Sequence, residues 1–310
     1  MNTQSNTLPE AFQAQSVAPV GLSTMQLMYW SVRRELWENR SLYLAPMAVA
    51  GLVLVGSLLG TIHAPEKMRA ALALNPMEQL ERMMQPYRMA GLILMAIEVV
   101  VSVLYCLDAL HGERRDRSIL FWKSLPVSDV TTVLSKTSIP LLVLPVVTFA
   151  VTLATQWIML LINTAVLLAS GVSVAPLWSQ VPWFQMSAML LYHLVAIHGF
   201  WFAPFYAWLL LVSGWARRAV VLWAAIPLVA IGVVEKIAFN SSYFVVMLQA
   251  HVMGGPGAGD ITATGGPMTH PLTLFTVGEF LFSPGLWIGM AVAAAFLACA
   301  VRLRHYRAPI

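Results

Sequence analysis

Long apolar runs alternate with short charged segments along this chain. Six of the runs, at about 41–63, 89–108, 139–168, 186–212, 219–239 and 284–301, each predict a helix of membrane-spanning length. The segments between them differ in kind. Residues 1–22 are polar and predict a flexible tail, with no basic start leading into an early apolar core as a cleavable signal requires. Residues 23–40 mix Met25, Leu27, Met28, Trp30, Val32, Leu36 and Trp37 with Arg33, Arg34, Glu35, Glu38 and Arg40, the make-up of an amphipathic helix lying at the membrane surface. A polar connection precedes the second run, and Pro140 and Pro145 predict a kinked entry into the third. Residues 243–252 are apolar but too short to span, which predicts a re-entrant or interfacial helix. Gly254 to Pro271 reads as an irregular outer loop.

Composition fits this pattern. Hydrophobic residues make up 59% and charged residues 10%, with mean hydropathy +0.74, against about 25% charged in soluble domains. The fold class is therefore all-α integral membrane, with residues 23–310 as one transmembrane domain. A net charge of +4 is too small to suggest nucleic acid, and the positions of the basic residues explain it better. With the N-terminus inside, thirteen of the 18 lysines and arginines fall on the inner side, so both termini and the segment between the second and third spans are expected in the cytoplasm. Cys106 and Cys299 fit neither a disulfide framework nor a metal site.

Charge is densest at 107–136, LDALHGERRDRSILFWKSLPVSDVTTVLSK. Glu113 to Leu125 reads as a short helix stopped by Pro126, and Ser128 is placed to cap the next helix. Glu113, Arg114, Arg115, Arg117, Trp122 and Lys123 are the expected docking residues of this handle. Within the spans, Glu98 stands near mid-helix, where an unpaired charge is costly; it lines a substrate or ion path or is a protonated structural glutamate. Glu235 and Lys236 near the outer end of the fifth run are further pathway residues. His193 and His198 are five apart and do not share one face of an α-helix, against a zinc pair. No G-x-S-x-G, H-E-x-x-H or G-x-x-x-x-G-K-[ST] occurs, so catalytic residues, a metal and a nucleotide site are not expected on this chain.

A surface helix before the first span, a helix in the loop between the second and third, and a short apolar segment before the sixth resemble the permease subunits of ABC-2 type ATP-binding-cassette transporters. The wording Glu113-Arg114, then Leu120 to Leu125-Pro126-Val127-Ser128, then Lys136 is similar to that family's coupling loop. Arg117-Ser118 stands where the family often has Gly-Thr, and Asp129 where it has a basic residue. The resemblance implies an exporter subunit of the bacterial inner membrane, paired with a second permease copy as a homodimer or with a different permease chain. A separate ATPase chain would hold ATP and Mg, and an amphipathic or hydrophobic cargo (lipid, peptide or drug-like) would be moved. A secondary carrier or ion channel using Glu98 and Glu235 is the alternative.

Overall fold

The structure, a computed structural model, describes residues 23–120, 127–253 and 281–306. The 1–22 tail, the 254–271 loop, and the expected docking residues Trp122 and Lys123 lie outside the described residues. Every element is helical, with no strand among the described residues. Five helices, or six when one bent pair is counted as a span, are long and apolar enough to cross a membrane. The chain is a multi-pass membrane protein.

Helix α1 (Thr24–Glu38) begins at a capping box, in which Ser23 and Gln26 satisfy each other's backbone N–H groups. After a single break, α2 (Ser41–Gly60) continues through a 3-10 turn (Thr61–His63) into α3 (Ala64–Leu72). The expected polar connection is far shorter than its charges suggested. Asn75 caps, and Pro76 opens, a single helix α4 (Pro76–Ala109) that absorbs Glu78, Glu81, Arg82 and Arg88. This helical extension is held by an apolar face under the charges: Met68, Met83, Met84 and Tyr87 are buried with Leu160, Leu167 and Leu177.

Helix α5 (His111–Arg115) follows directly, and α6 (Asp129–Ser138) starts at Ser128, whose hydroxyl accepts from the Thr131 N–H at 3.1 Å as the sequence predicts. The kink expected at Pro140 and Pro145 is a π-helical turn (Ile139–Val143) leading into α7 (Leu144–Ala169). The missing proline N–H groups are accommodated by this wider turn. After the short α8 (Ala175–Ser179), the fourth run divides into α9 (Trp183–Tyr192), a π-helix (His193–Trp201) and α10 (Ala203–Trp215), bent by 48°. The chain ends in α11 (Val220–Phe239), α12 (Tyr243–Met253) and α13 (Pro284–Tyr306).

The most extensive pairing is α10 with α13, and α4 packs against α2, α7 and α10 at the centre. Near the end where α5, α6 and the tail of α13 meet, called the charged end below, Leu42, Tyr105, Cys106, Ile139, Leu144, Tyr206 and Leu210 form one core; the methionine-rich cluster around Tyr87 forms a second toward the far end. Outward faces are apolar, as at Leu52, Val55 and Leu59 on α2 and Val229, Val233 and Ile237 on α11, which suits contact with lipid.

Candidate functional site

The charged loop is built into the helices above it. At its start, the Ser213 hydroxyl accepts from the backbone N–H groups of Leu110 (3.0 Å) and His111 (2.8 Å), fixing α5 to the end of α10. Arg114 is buried and donates to the Gly214 carbonyl at 2.8 Å. Glu113 is buried too, and its carboxylate pairs with Arg304 on α13 and lies 3.2 Å from Lys136 on α6. Of the expected docking residues described, these two turn inward, and Arg115 and Arg117 remain exposed beside Leu120. Arg117 adopts φ 58°, a left-handed conformation that glycine enters without the clash of a Cβ.

Lys136 is the hub of a network that joins five helices. Its ammonium lies 2.9 and 3.0 Å from the two Glu35 oxygens. Glu35, fully buried on α1, also takes Arg34 at 2.6 Å and the Tyr105 hydroxyl of α4 at 2.9 Å. Arg304 bridges Glu113 and Asp129, the latter at 3.0 Å. Arg34, Lys136 and Arg304 thus balance Glu35, Glu113 and Asp129. Such balance matters because an uncompensated buried charge is far costlier than a matched pair. Burial alone would raise the Glu35 carboxyl, but Lys136 and Arg34 outweigh it and hold the group below its ordinary range.

A second polar site lies deeper. Glu98 on α4 is completely buried, with Oε2 2.7 Å from Nδ1 of His198 on the second π-helix. Glu98 Oε1 and the buried hydroxyls of Ser102, Thr148, Thr152 and Tyr206 have no hydrogen-bond partner of ordinary geometry. The Tyr206 hydroxyl nevertheless lies near both Glu98 and Ser102. The two π-helices touch here: a Cβ on Gly199 would stand 2.9 Å from the Leu141 carbonyl oxygen, so glycine permits the approach. His193 bonds instead to the Met189 carbonyl at 2.9 Å, so the two histidines take separate partners.

Glu235 accepts from the Ser241 hydroxyl and from the N–H groups of Tyr243 and Phe244, anchoring the start of α12, while Lys236 is exposed. From there α12 folds back along α11, with Val245 against Gly232, until His251 stacks on Trp201 and each bonds to the other's carbonyl at 2.8 Å. A hollow of about 290 Å³ between α7 and α9 is lined by Trp157, Leu160, Trp183 and Phe184, with Gln156 and Ser187 as its polar members.

Sequence reasoning missed Glu35 and Arg304 as members of a buried network. Glu35 lies four residues after Ser31, on the one face of α1 that is buried, and that spacing was the available signal. It also missed Ser102 and Tyr206. The run Thr148, Thr152 and Thr155, four and then three apart within an apolar segment, with Gln156 four after Thr152, marked a polar seam on α7.

Protein-family models, curated proteins and solved structures were compared with the chain, and none matches.

Proposed function

We propose that this chain is the permease subunit of an ATP-driven exporter of the ABC-2 type, moved by a separate ATP-hydrolysing chain that docks on the segment from Arg115 to Lys123. The observation that carries the reading is the attachment of that segment. Through Glu113 and Arg114 it is tied to α1, α6, α10 and α13, so displacing the loop displaces the helices with it. A loop serving only as a basic anchor needs no such buried bracing. Arg117 supports the reading independently. Its left-handed backbone falls where the resembled family often carries glycine, so the departure to arginine at this position is compatible with a glycine-like turn.

In this reading the charged end faces the cytoplasm of a bacterial inner membrane, with both termini on that side. α1 lies at the interface, and the coupling element opens with α5, which stops at Arg115 rather than continuing as the single helix expected from Glu113 because the backbone turns left-handed at Arg117; α12 is the re-entrant helix before the sixth span. The subunit works as a homodimer, with ATP and Mg held by the partner ATPase. The partner's closure on ATP then favours one of two helix arrangements, which is how hydrolysis drives movement. The cargo is lipid-like, peptide-like or drug-like, matching apolar helix faces and the aromatic hollow at Trp157 and Trp183.

The test is gentle purification from the native membrane, followed by mass spectrometry for a co-purifying ATPase that carries a Walker motif. A stoichiometric ATPase lost on changing Arg115 and Arg117 supports the proposal. The chain isolated alone after mild crosslinking refutes it. The Glu98–His198 pair favours a second reading, a secondary carrier or channel, whose activity would persist without any ATPase.

A further inference from the structure

Glu98 and His198 are bonded at 2.7 Å inside a membrane span, and that contact requires a hydrogen between the two atoms. The titratable and polar groups around them are few. Tyr206 on α10 interacts with Glu98 and with Ser102 and Cys106 of α4, and His251 of α12 meets Phe202, whose ring also contacts His198. None of these supplies a fixed charge.

With one proton shared, the pair is neutral overall, as carboxylic acid and imidazole or as carboxylate and imidazolium. Removing that proton leaves a buried net negative charge, and adding a second leaves a positive one. Both are strongly disfavoured away from water, so the neutral pair with one shared proton is the favoured state.

Three further features separate this pair from an inert structural bond. Buried polar groups are nearly always partnered, yet Glu98 Oε1 has no hydrogen-bond partner of ordinary geometry. The hollow at Trp157 and Trp183 and the one at Glu235 and Tyr243 are both lined by residues other than Glu98 and His198, so neither makes this pair a cargo site. Finally, His198 belongs to a π-helix, a form concentrated at functional sites. Relaxation to an α-helix shifts the register by one residue and turns the side chain by about 100°, which breaks the bond to Glu98. His198 is 13% exposed and Glu98 0%, so the histidine is the open side.

We propose that Glu98 and His198 form a one-proton binding site within the membrane, whose proton exchanges through His198 when the π-helix relaxes. In exchange, the bond between the proton and the pair breaks and water accepts the proton; its reverse restores the neutral pair. The proton site stands independently of the exporter reading.

The experiment uses the full chain in lipid nanodiscs, transferred to D2O and followed by infrared difference spectroscopy, with Glu98→Gln as an isosteric control. Expected is a carboxyl or imidazolium band, absent in Glu98→Gln, that exchanges at least ~10-fold faster than the amides of α4. A band exchanging only as slowly as those amides, or none lost in Glu98→Gln, overturns the proposal. If no ATPase co-purifies but the band behaves as expected, the exporter reading falls and the proton site stands.

Discussion

Replacing Lys136 with methionine keeps most of the side chain's length and removes its charge from the centre of the buried network. The ammonium is only 3% exposed and lies 2.9 and 3.0 Å from the Glu35 oxygens and 3.2 Å from Glu113. Its loss leaves three carboxylates facing Arg34 and Arg304. Removing one partner of a buried ion pair costs about 3–5 kcal/mol, because the other charge stays buried. Glu35 keeps Arg34 at 2.6 Å and the Tyr105 hydroxyl at 2.9 Å, which places the expected loss near the lower end, about 3 kcal/mol. Denaturant unfolding in detergent, followed by tryptophan fluorescence, measures it. Lys136→Met combined with Glu35→Gln restores charge balance and should recover about 1–2 kcal/mol, a coupling that a double-mutant cycle reads directly.

The pH dependence provides an independent check. The Glu35 carboxyl is subject first to burial, which raises it, and then to Lys136 and Arg34, which prevail and lower it from 4.5. Its contribution to stability is therefore fully present above that value and is lost as pH falls through the lower folded value. In Lys136→Met this acid limb should shrink. A cost below about 1 kcal/mol, typical of an exposed pair, together with an unchanged acid limb, would refute the assignment of Lys136 as a buried hub.

Other perturbations probe the loop and the π-helices. Gly199→Ala places a Cβ 2.9 Å from the Leu141 carbonyl oxygen, so it should force the two π-helices apart and cost about 1–3 kcal/mol in the same unfolding assay. Arg117→Gly relieves a left-handed arginine and should stabilise by about 1 kcal/mol, and any destabilisation would contradict the backbone geometry. Arg115→Ala, at an exposed side chain, should leave stability essentially unchanged, and in the exporter reading it should weaken stimulation of the partner ATPase. Arg114→Ala instead removes the bond to Gly214 and should destabilise by about 1–3 kcal/mol, so similar effects of the two alanines on stability would show that the loop is not oriented as described.

The helices were legible because membrane length and apolar composition are local properties. The six apolar runs each coincide with helix, and Ser128 caps where the sequence places it. Helix ends were less legible. The charges at Glu78, Glu81, Arg82 and Arg88 suggest a connection, but a long helix can place them on its exposed side while Met83, Met84 and Tyr87 pack inward. Which loop residues face solvent was not legible either, because Glu113 and Arg114 owe their burial to partners 191 and 100 residues away. Glu98 was singled out as an intramembrane charge, while its partner His198 was set aside on α-helical spacing. Nothing in the sequence marks His193–Trp201 as a π-helix, and the pairing is a consequence of tertiary packing.

The two buried polar sites are linked by short, stiff stretches of chain. Glu98 and Tyr105 are on the same helix, seven residues apart, and the first faces His198 while the second bonds to Glu35. Lys136, at the hub, stands three residues before the π-turn Ile139–Val143, and that turn meets the second π-helix at Gly199, next to His198. A displacement of α5 that pulls Glu113 away from Lys136 therefore acts on both neighbours of the proton pair: on α4 through Glu35 and Tyr105, and on the π-helix through Leu141. Adjacency alone does not make a coupling; a two-state element must lie along the route, and a π-helix that relaxes to α is such an element. In the exporter reading, ATPase closure would act at Arg115 and Arg117 and reach Glu98 by this route. On that route the π-turn Ile139–Val143 lies between Lys136 and the π-helix that carries His198, so a change of register at Glu98–His198 on perturbing Lys136 is the outcome that would show the coupling.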